Sequence, residues 1–139
     1  MDPEDLLGRV AAWSSDRSEV VAVALVGSWA RGTARPDSDI DLVLLVESPI
    51  TLLSDSVWLE ELAIRVERET TEDWGLVQSR RVWTEDELEV EFGVTSVEWA
   101  RTDPVDPGTA EVVRDGLRIV YDPKGLLAGL RSAVRPKGE

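Results

Sequence analysis

The chain has 139 residues with no Cys and no His, and its 28 acidic side chains against 15 basic ones give a formal net charge of −13. Without Cys there is no disulfide framework, thiolate metal site or Cys nucleophile, and without His the commonest general base and zinc ligand are gone, which leaves carboxylate, hydroxyl and guanidinium chemistry. The length suits one domain spanning residues 1–139, and a field of this sign opposes sequence-independent binding to nucleic acid, so a processive polymerase is not expected.

No run of apolar residues is long enough to span a bilayer and no basic-then-apolar leader pattern follows Met1, so the sequence reads as cytoplasmic. From Pro3 to Trp13 the apolar residues Leu6, Leu7, Val10, Ala11 and Trp13 recur at helical spacing, with Asp2 and Asp5 near the start. The run VVAVALV from Val20 to Val26 predicts a strand buried on both faces. A turn-rich loop follows, and Ile40 to Val46 predicts a second buried strand ended by Glu47-Ser48-Pro49. A short helix is expected over Ser54 to Ala63, with Ile64 to Thr71 open between its continuation and a strand. Glu72 to Gly75 reads as a turn, Leu76 to Trp83 as a strand, Thr84 to Asp86 as a second turn and Leu88 to Val94 as the returning strand of a hairpin. The Pro- and Gly-containing stretch Asp103 to Gly108 reads as a loop, Thr109 to Asp115 as a helix closed by Gly116, Leu117 to Tyr121 as a short strand and Pro123 to Val134 as a last helix, with a frayed tail at 135–139.

The segment between the two buried strands carries the chemistry. A strand that ends in Gly27-Ser28 and turns into a short helix presents backbone N–H groups outward as an anion site. Gly27 allows close approach, the Ser28 hydroxyl can donate to a phosphate oxygen, and Arg31, one helical turn on, can reach the same anion with its forked guanidinium. Asp39 and Asp41 sit at i and i+2 where the second strand begins, so both point to one sheet face with Cα atoms about 7 Å apart. Two such carboxylates repel unless a hard cation lies between them, and Mg²⁺ favours oxygen ligands that it shares with substrate phosphates. Paired ions would stabilise the attacking and leaving oxygens of an in-line displacement. Glu89 and Glu91 alternate with Leu88, Val90 and Phe92 and share the polar face of their strand. Glu91 is the preferred third carboxylate, as ligand or base, with Glu89 its competitor.

The sequence GSWARGTARPDSDIDLVLL, within a match from about Val23 to Val46, resembles the signature of the DNA-polymerase-β-like nucleotidyltransferase superfamily: Gly-Ser, Arg-Gly, then Ser-Asp-x-Asp entering a leucine-rich strand. It is most similar to the small bacterial members, the minimal and aminoglycoside nucleotidyltransferase-like proteins. The resemblance implies an α/β (α+β) nucleotidyltransferase fold, a central mixed sheet flanked by helices. It also implies binding of the triphosphate by Ser28 and Arg31, two Mg²⁺ held by Asp39 and Asp41, and one of them also by Glu91. The expected reaction moves a nucleoside monophosphate, AMP from ATP in the family's commonest case, to a hydroxyl of a small molecule or protein side chain, releasing pyrophosphate. Larger members bind the acceptor with a further helical domain, so a second copy of the chain or a helical partner protein is expected to complete the cleft. A second reading of the same resemblance is an antitoxin-like or regulatory nucleotide-binding partner of a helical toxin.

Other residues read as structure. Ser38 braces its loop. Arg35 divides evenly between phosphate contact and a pair with Asp37; Arg65, Arg80 and Arg81 could help bind triphosphate or acceptor but read as surface ion-pair partners on charge-dense strands. The six Trp residues read as packing; Trp29 could stack on a base, with packing of the loop helix under the sheet preferred.

Overall fold

The computed structural model describes residues 2–134, apart from the side chain of Trp74. Helix α1 (Pro3–Ser15) leads to β1 (Val20–Val26), α2 (Ser28–Arg31), β2 (Ile40–Val46), α3 (Pro49–Ser54), α4 (Val57–Glu61), β3 (Val66–Trp74), β4 (Val77–Thr84) and β5 (Glu89–Thr95). A 3₁₀ turn (Val97–Ala100), α5 (Pro107–Asp115), β6 (Leu117–Tyr121) and α6 (Leu126–Ala133) follow. The strands make one six-stranded sheet in the order β3-β4-β5-β2-β1-β6. Its β2 and β5 are parallel and the other neighbouring pairs antiparallel, which makes the expected mixed sheet flanked by helices.

Alternation along the strands divides the interior in two. One face sends Val23, Leu25, Leu42, Leu44, Val90 and Phe92 against α1, α3 and α4, where Leu6, Val10, Leu52 and Trp58 meet them. The other face sends Ala22, Ala24, Val43 and Leu45 against the C-terminal elements, where Trp99, Val113, Leu127 and Leu130 lie. The interior strands β1 and β2 are therefore buried on both sides over most of their length, which is why they read as apolar runs instead of alternating ones, with Asp41 near the start of β2 the exception.

Several boundaries differ from the sequence reading for local reasons. The single helix expected over Ser54 to Ala63 is two short ones, because the Asp55 carboxylate accepts from the Val57 N–H at 2.9 Å and restarts the helix after α3 has ended at Ser54. The open segment from Ile64 is the edge strand β3, and it runs through the expected turn to Trp74, so that Gly75, with φ +79°, and Leu76 alone make the reversal. Its charged residues on both faces suit an exposed sheet edge. Helix α5 begins earlier than expected because Asp106 is its N-cap, accepting from the Thr109 N–H at 3.1 Å, with Pro107 in the first turn. The last helix begins later, at Leu126, since the Asp122 carboxylate accepts from Leu127 and Ala128 N–H groups at 3.1 and 3.0 Å after a turn through Gly125. The tail at 135–139 lies outside the described residues. No helix among the described residues is long and apolar enough to cross a membrane.

Candidate active site

The loop between β1 and β2 is short and internally braced. Gly27 has φ 75° and ψ −155°, a backbone open essentially to glycine, and it turns β1 into α2. The carbonyl of Gly27 accepts from Ala30 and Arg31 N–H groups at 3.1 Å, and Gly32 closes the helix in the left-handed region. Trp29 packs against the α1-side core and donates its indole N–H to the Ser38 carbonyl at 3.1 Å, so it anchors the loop; Ser38 Oγ in turn accepts from the Arg35 N–H at 2.8 Å. Ser28 is half-buried at the first position of α2, and Arg31 is exposed at its end with its stem against Gly116. Among the described residues neither Arg31 nor Arg35 has an ion-pair partner.

Register brings the acids together. The parallel ladder sets Asp41 beside Glu91, and Val26 stands beside Asp41 on the other side. Asp39, just before β2, completes the group: Asp39, Asp41 and Glu91 each offer a carboxylate oxygen, all within 4.8 Å of one another, and all three are half-buried. Gly27 adjoins them, since a Cβ at that position would fall 2.5 Å from Asp41 Oδ2. The glycine turn and the carboxylates are thus contiguous, with Gly27 the point of contact. Glu89 stays outside the trio; it accepts from the Trp83 indole N–H at 2.7 Å and pairs with Arg81.

Two of the arginines expected as surface ion-pair partners lie elsewhere. Arg80 is buried and donates to the carbonyls of Leu52 and Asp55 at 2.8 and 2.6 Å and to Ser56 Oγ at 2.7 Å, clamping the end of α3 from the α1-side face. Arg81, the next residue, points to the opposite face and into the site, where it pairs with Asp39 at 3.4 Å and with Glu89 and Glu91. Adjacent arginines on one strand must face opposite ways, but which faces the acids depends on register, which the sequence does not state. Arg65, by contrast, is the exposed surface partner expected, 3.9 Å from Glu85.

The electrostatics of the cluster would favour a cation. Asp41 Oδ1 is buried without a hydrogen-bond partner, and the Asp41 carboxyl is pushed up from 3.8 to about 8, chiefly by burial, then by the charge and hydrogen bond of Asp39 and the charge of Glu91, with Arg81 opposing. An orphaned oxygen among converging hard donors fits Mg²⁺ or a similar divalent ion. Between its ordinary value and its raised one, Asp41 keeps in the folded state a proton that the unfolded chain has lost, so stability of the metal-free protein falls as pH rises through that window. In EDTA, the urea midpoint of the wild type is expected to decline from about pH 4 to about pH 8 and that of Asp41→Asn to decline less steeply. Equal slopes would count against the burial and crowding of this carboxyl.

Beside Asp41 and Glu91 lies a cavity of about 320 Å³, walled by Val26, Val43, Val77, Trp99 and Val112. Gly93 lets Val77 close over its floor, as a Cβ there would come 2.8 Å from the Val77 side chain.

A family profile described as a nucleotidyltransferase domain matches residues 10–99. An aminoglycoside 6-adenyltransferase from Bacillus subtilis superposes with a TM-score of 0.52 at 14% identity, covering 70% of this chain and 35% of that one, so the chain spans about a third of that enzyme's length. A toxin–antitoxin structure with AMP-PNP has a TM-score of 0.46 at 10% identity over 92% of this chain and 82% of that one. Cid1, an RNA terminal uridylyl transferase, has 0.40 at 20% identity over 67% and 31%. No curated protein matches in sequence. The profile spans both central strands, the loop between them and β5, and the chain belongs to the nucleotidyltransferase domain family.

Proposed function

We propose that this chain transfers a nucleoside monophosphate from a nucleoside triphosphate, ATP in the first instance, to a hydroxyl group and releases pyrophosphate. The observation that carries the reading is the convergence of Asp39, Asp41 and Glu91 against Gly27, with one buried Asp41 oxygen left without a partner. Ser28 and Arg31, on the turn that leaves Gly27, would bind the triphosphate, the hydroxyl as a single donor and the guanidinium as a fork. Asp39, Asp41 and Glu91 would hold Mg²⁺, which supplies neutralisation of phosphoryl charge and orientation of the triphosphate when bound. In the transfer the acceptor oxygen bonds to the α-phosphorus as the bond to the bridging pyrophosphate oxygen breaks. The hydroxyl proton passes to a carboxylate, and Glu91 is the one assigned, a carboxylate that lines, with Asp41, the cavity through which an acceptor would approach. Those walls are apolar and the surrounding acids are Asp41, Glu91 and Asp106, so they suit a neutral or cationic acceptor, either a small hydroxylated molecule or a protein side chain.

The test is isothermal titration of ATP, GTP, CTP and UTP into the protein with Mg²⁺ and with EDTA. Binding of at least one triphosphate with Mg²⁺ and none with EDTA is expected, and the preferred base is the one to carry into a search for the acceptor. Equal binding in EDTA would remove the carboxylates from the site.

A further inference from the structure

We infer that Arg81 is a resident counter-cation of the acidic cluster, a positioning residue that holds Asp39 and Glu91 when no divalent ion is bound and competes with that ion for them. The inference rests on the reading of this cluster as a divalent-cation site. Sheet register puts it there: Asp41 of β2, Glu91 of β5 and Arg81 of β4 are successive neighbours in one row across the sheet. Adjacent strands lie about 4.8 Å apart, so a guanidinium one strand from Glu91 spans the remaining distance to Asp39. Both outer nitrogens are engaged, Nη2 with Glu91 and Nη1 with Glu89 and, at 3.4 Å, with Asp39.

Those contacts divide Arg81's partners into two kinds. Asp39 and Glu91 belong to the trio whose oxygens converge, and their lone pairs are the ones a divalent ion would use. Glu89 lies outside the trio and is itself held by the Trp83 indole N–H. Arg81 can therefore release Asp39 and Glu91 without losing its last ionic partner. A fixed positive charge beside the carboxylates also lowers their attraction for any mobile cation. Removing it has effects of opposite sign: the metal-free protein loses the charge that offsets crowded acids, while the cluster becomes a tighter trap for a divalent ion. A side chain that only props up the strand would not tighten metal binding when removed.

The experiment is titration of MnCl₂ alone, without nucleotide, into the wild type, Arg81→Gln and Arg81→Lys, with thermal melts in EDTA alongside. Arg81→Gln is expected to bind Mn²⁺ on the order of tenfold more tightly, a change equivalent to about 1.4 kcal/mol, and to melt lower in EDTA. Arg81→Lys, which keeps the charge, should bind Mn²⁺ as the wild type does. Should Arg81→Gln not fold, the wild type still answers: guanidinium N–H signals of Arg81 protected by these contacts should lose protection by NMR on addition of Mg²⁺. Mn²⁺ binding that is unchanged or weaker in Arg81→Gln, or guanidinium signals indifferent to Mg²⁺ under saturation, would overturn the role of Arg81 alone. Absence of Mn²⁺ binding in both the wild type and Arg81→Gln would overturn the cation site and this inference with it.

Discussion

Asp39→Ala should abolish Mg²⁺-dependent triphosphate binding and lower nucleotidyl transfer by on the order of 10³, while leaving the fold in place. The asymmetry comes from where Asp39 sits. It precedes β2, contributes no apolar packing, and among the described residues has one ionic partner, Arg81 at 3.4 Å. Little folded structure depends on it, and its charge raises the cost of ionising Asp41. In EDTA the variant is therefore expected to melt at the wild-type temperature or slightly above it, because one of several crowded like charges is gone. With Mg²⁺ the order reverses, since only the wild type gains the stabilisation of a bound ion. Titration of ATP with Mg²⁺, pyrophosphate release once an acceptor is known, and paired melts read the three effects. An unfolded variant would show that Asp39 is structural and sink the assignment; a variant that still binds the triphosphate only with Mg²⁺ would move the site elsewhere.

What the sequence made legible was local. The strands Val20–Val26 and Ile40–Val46 fall where the apolar runs do, because strands buried on both faces are apolar along nearly all their length, Asp41 near the start of the second being the one polar residue. Asp39 and Asp41 converge, as their i, i+2 spacing at a strand entry implies. The choice between Glu89 and Glu91 was not local. Both share a face of β5, and only the parallel register with β2, which pairs Asp41 with Glu91, brings one of them to the aspartates. Arg81 was missed for the same reason, being two strands from Asp41 in the sheet and forty residues from it in the chain. A one-residue slip of β4 would have sent Arg80 to the acids and buried Arg81. Helix boundaries after Glu47 were shifted by side-chain caps, Asp55, Asp106 and Asp122, each of which looks like ordinary turn chemistry until the N–H groups it bonds are known.

The largest stability effect is expected on the opposite face, at Trp58. Helices α3 and α4 are six and five residues long, too short to persist without tertiary contacts. Trp58 supplies much of what holds them. It is 1% exposed, stands edge-on to Phe92 with ring centres 5.0 Å apart, and lies 5.7 Å from Trp13 of α1. Its indole N–H donates to the carbonyls of Leu52 at 2.9 Å and Asp55 at 2.8 Å, the same two that Arg80 binds. Trp58→Ala leaves a cavity against Phe92 and removes a donor shared by the Leu52 and Asp55 carbonyls, and should lower unfolding free energy by about 3–5 kcal/mol, read as a fall in the urea midpoint with little change in slope. Trp58→Phe, which keeps a ring and loses the donor, should cost about 1–3 kcal/mol. The sheet separates this damage from the chemistry. Phe92 points toward Trp58 and Glu91, the residue before it, points the other way, so in conditions where Trp58→Phe remains folded its Mn²⁺ affinity should equal that of the wild type. A parallel loss of metal affinity in that variant would mean that the helical layer sets the position of β5, and that the two faces of the sheet do not act independently.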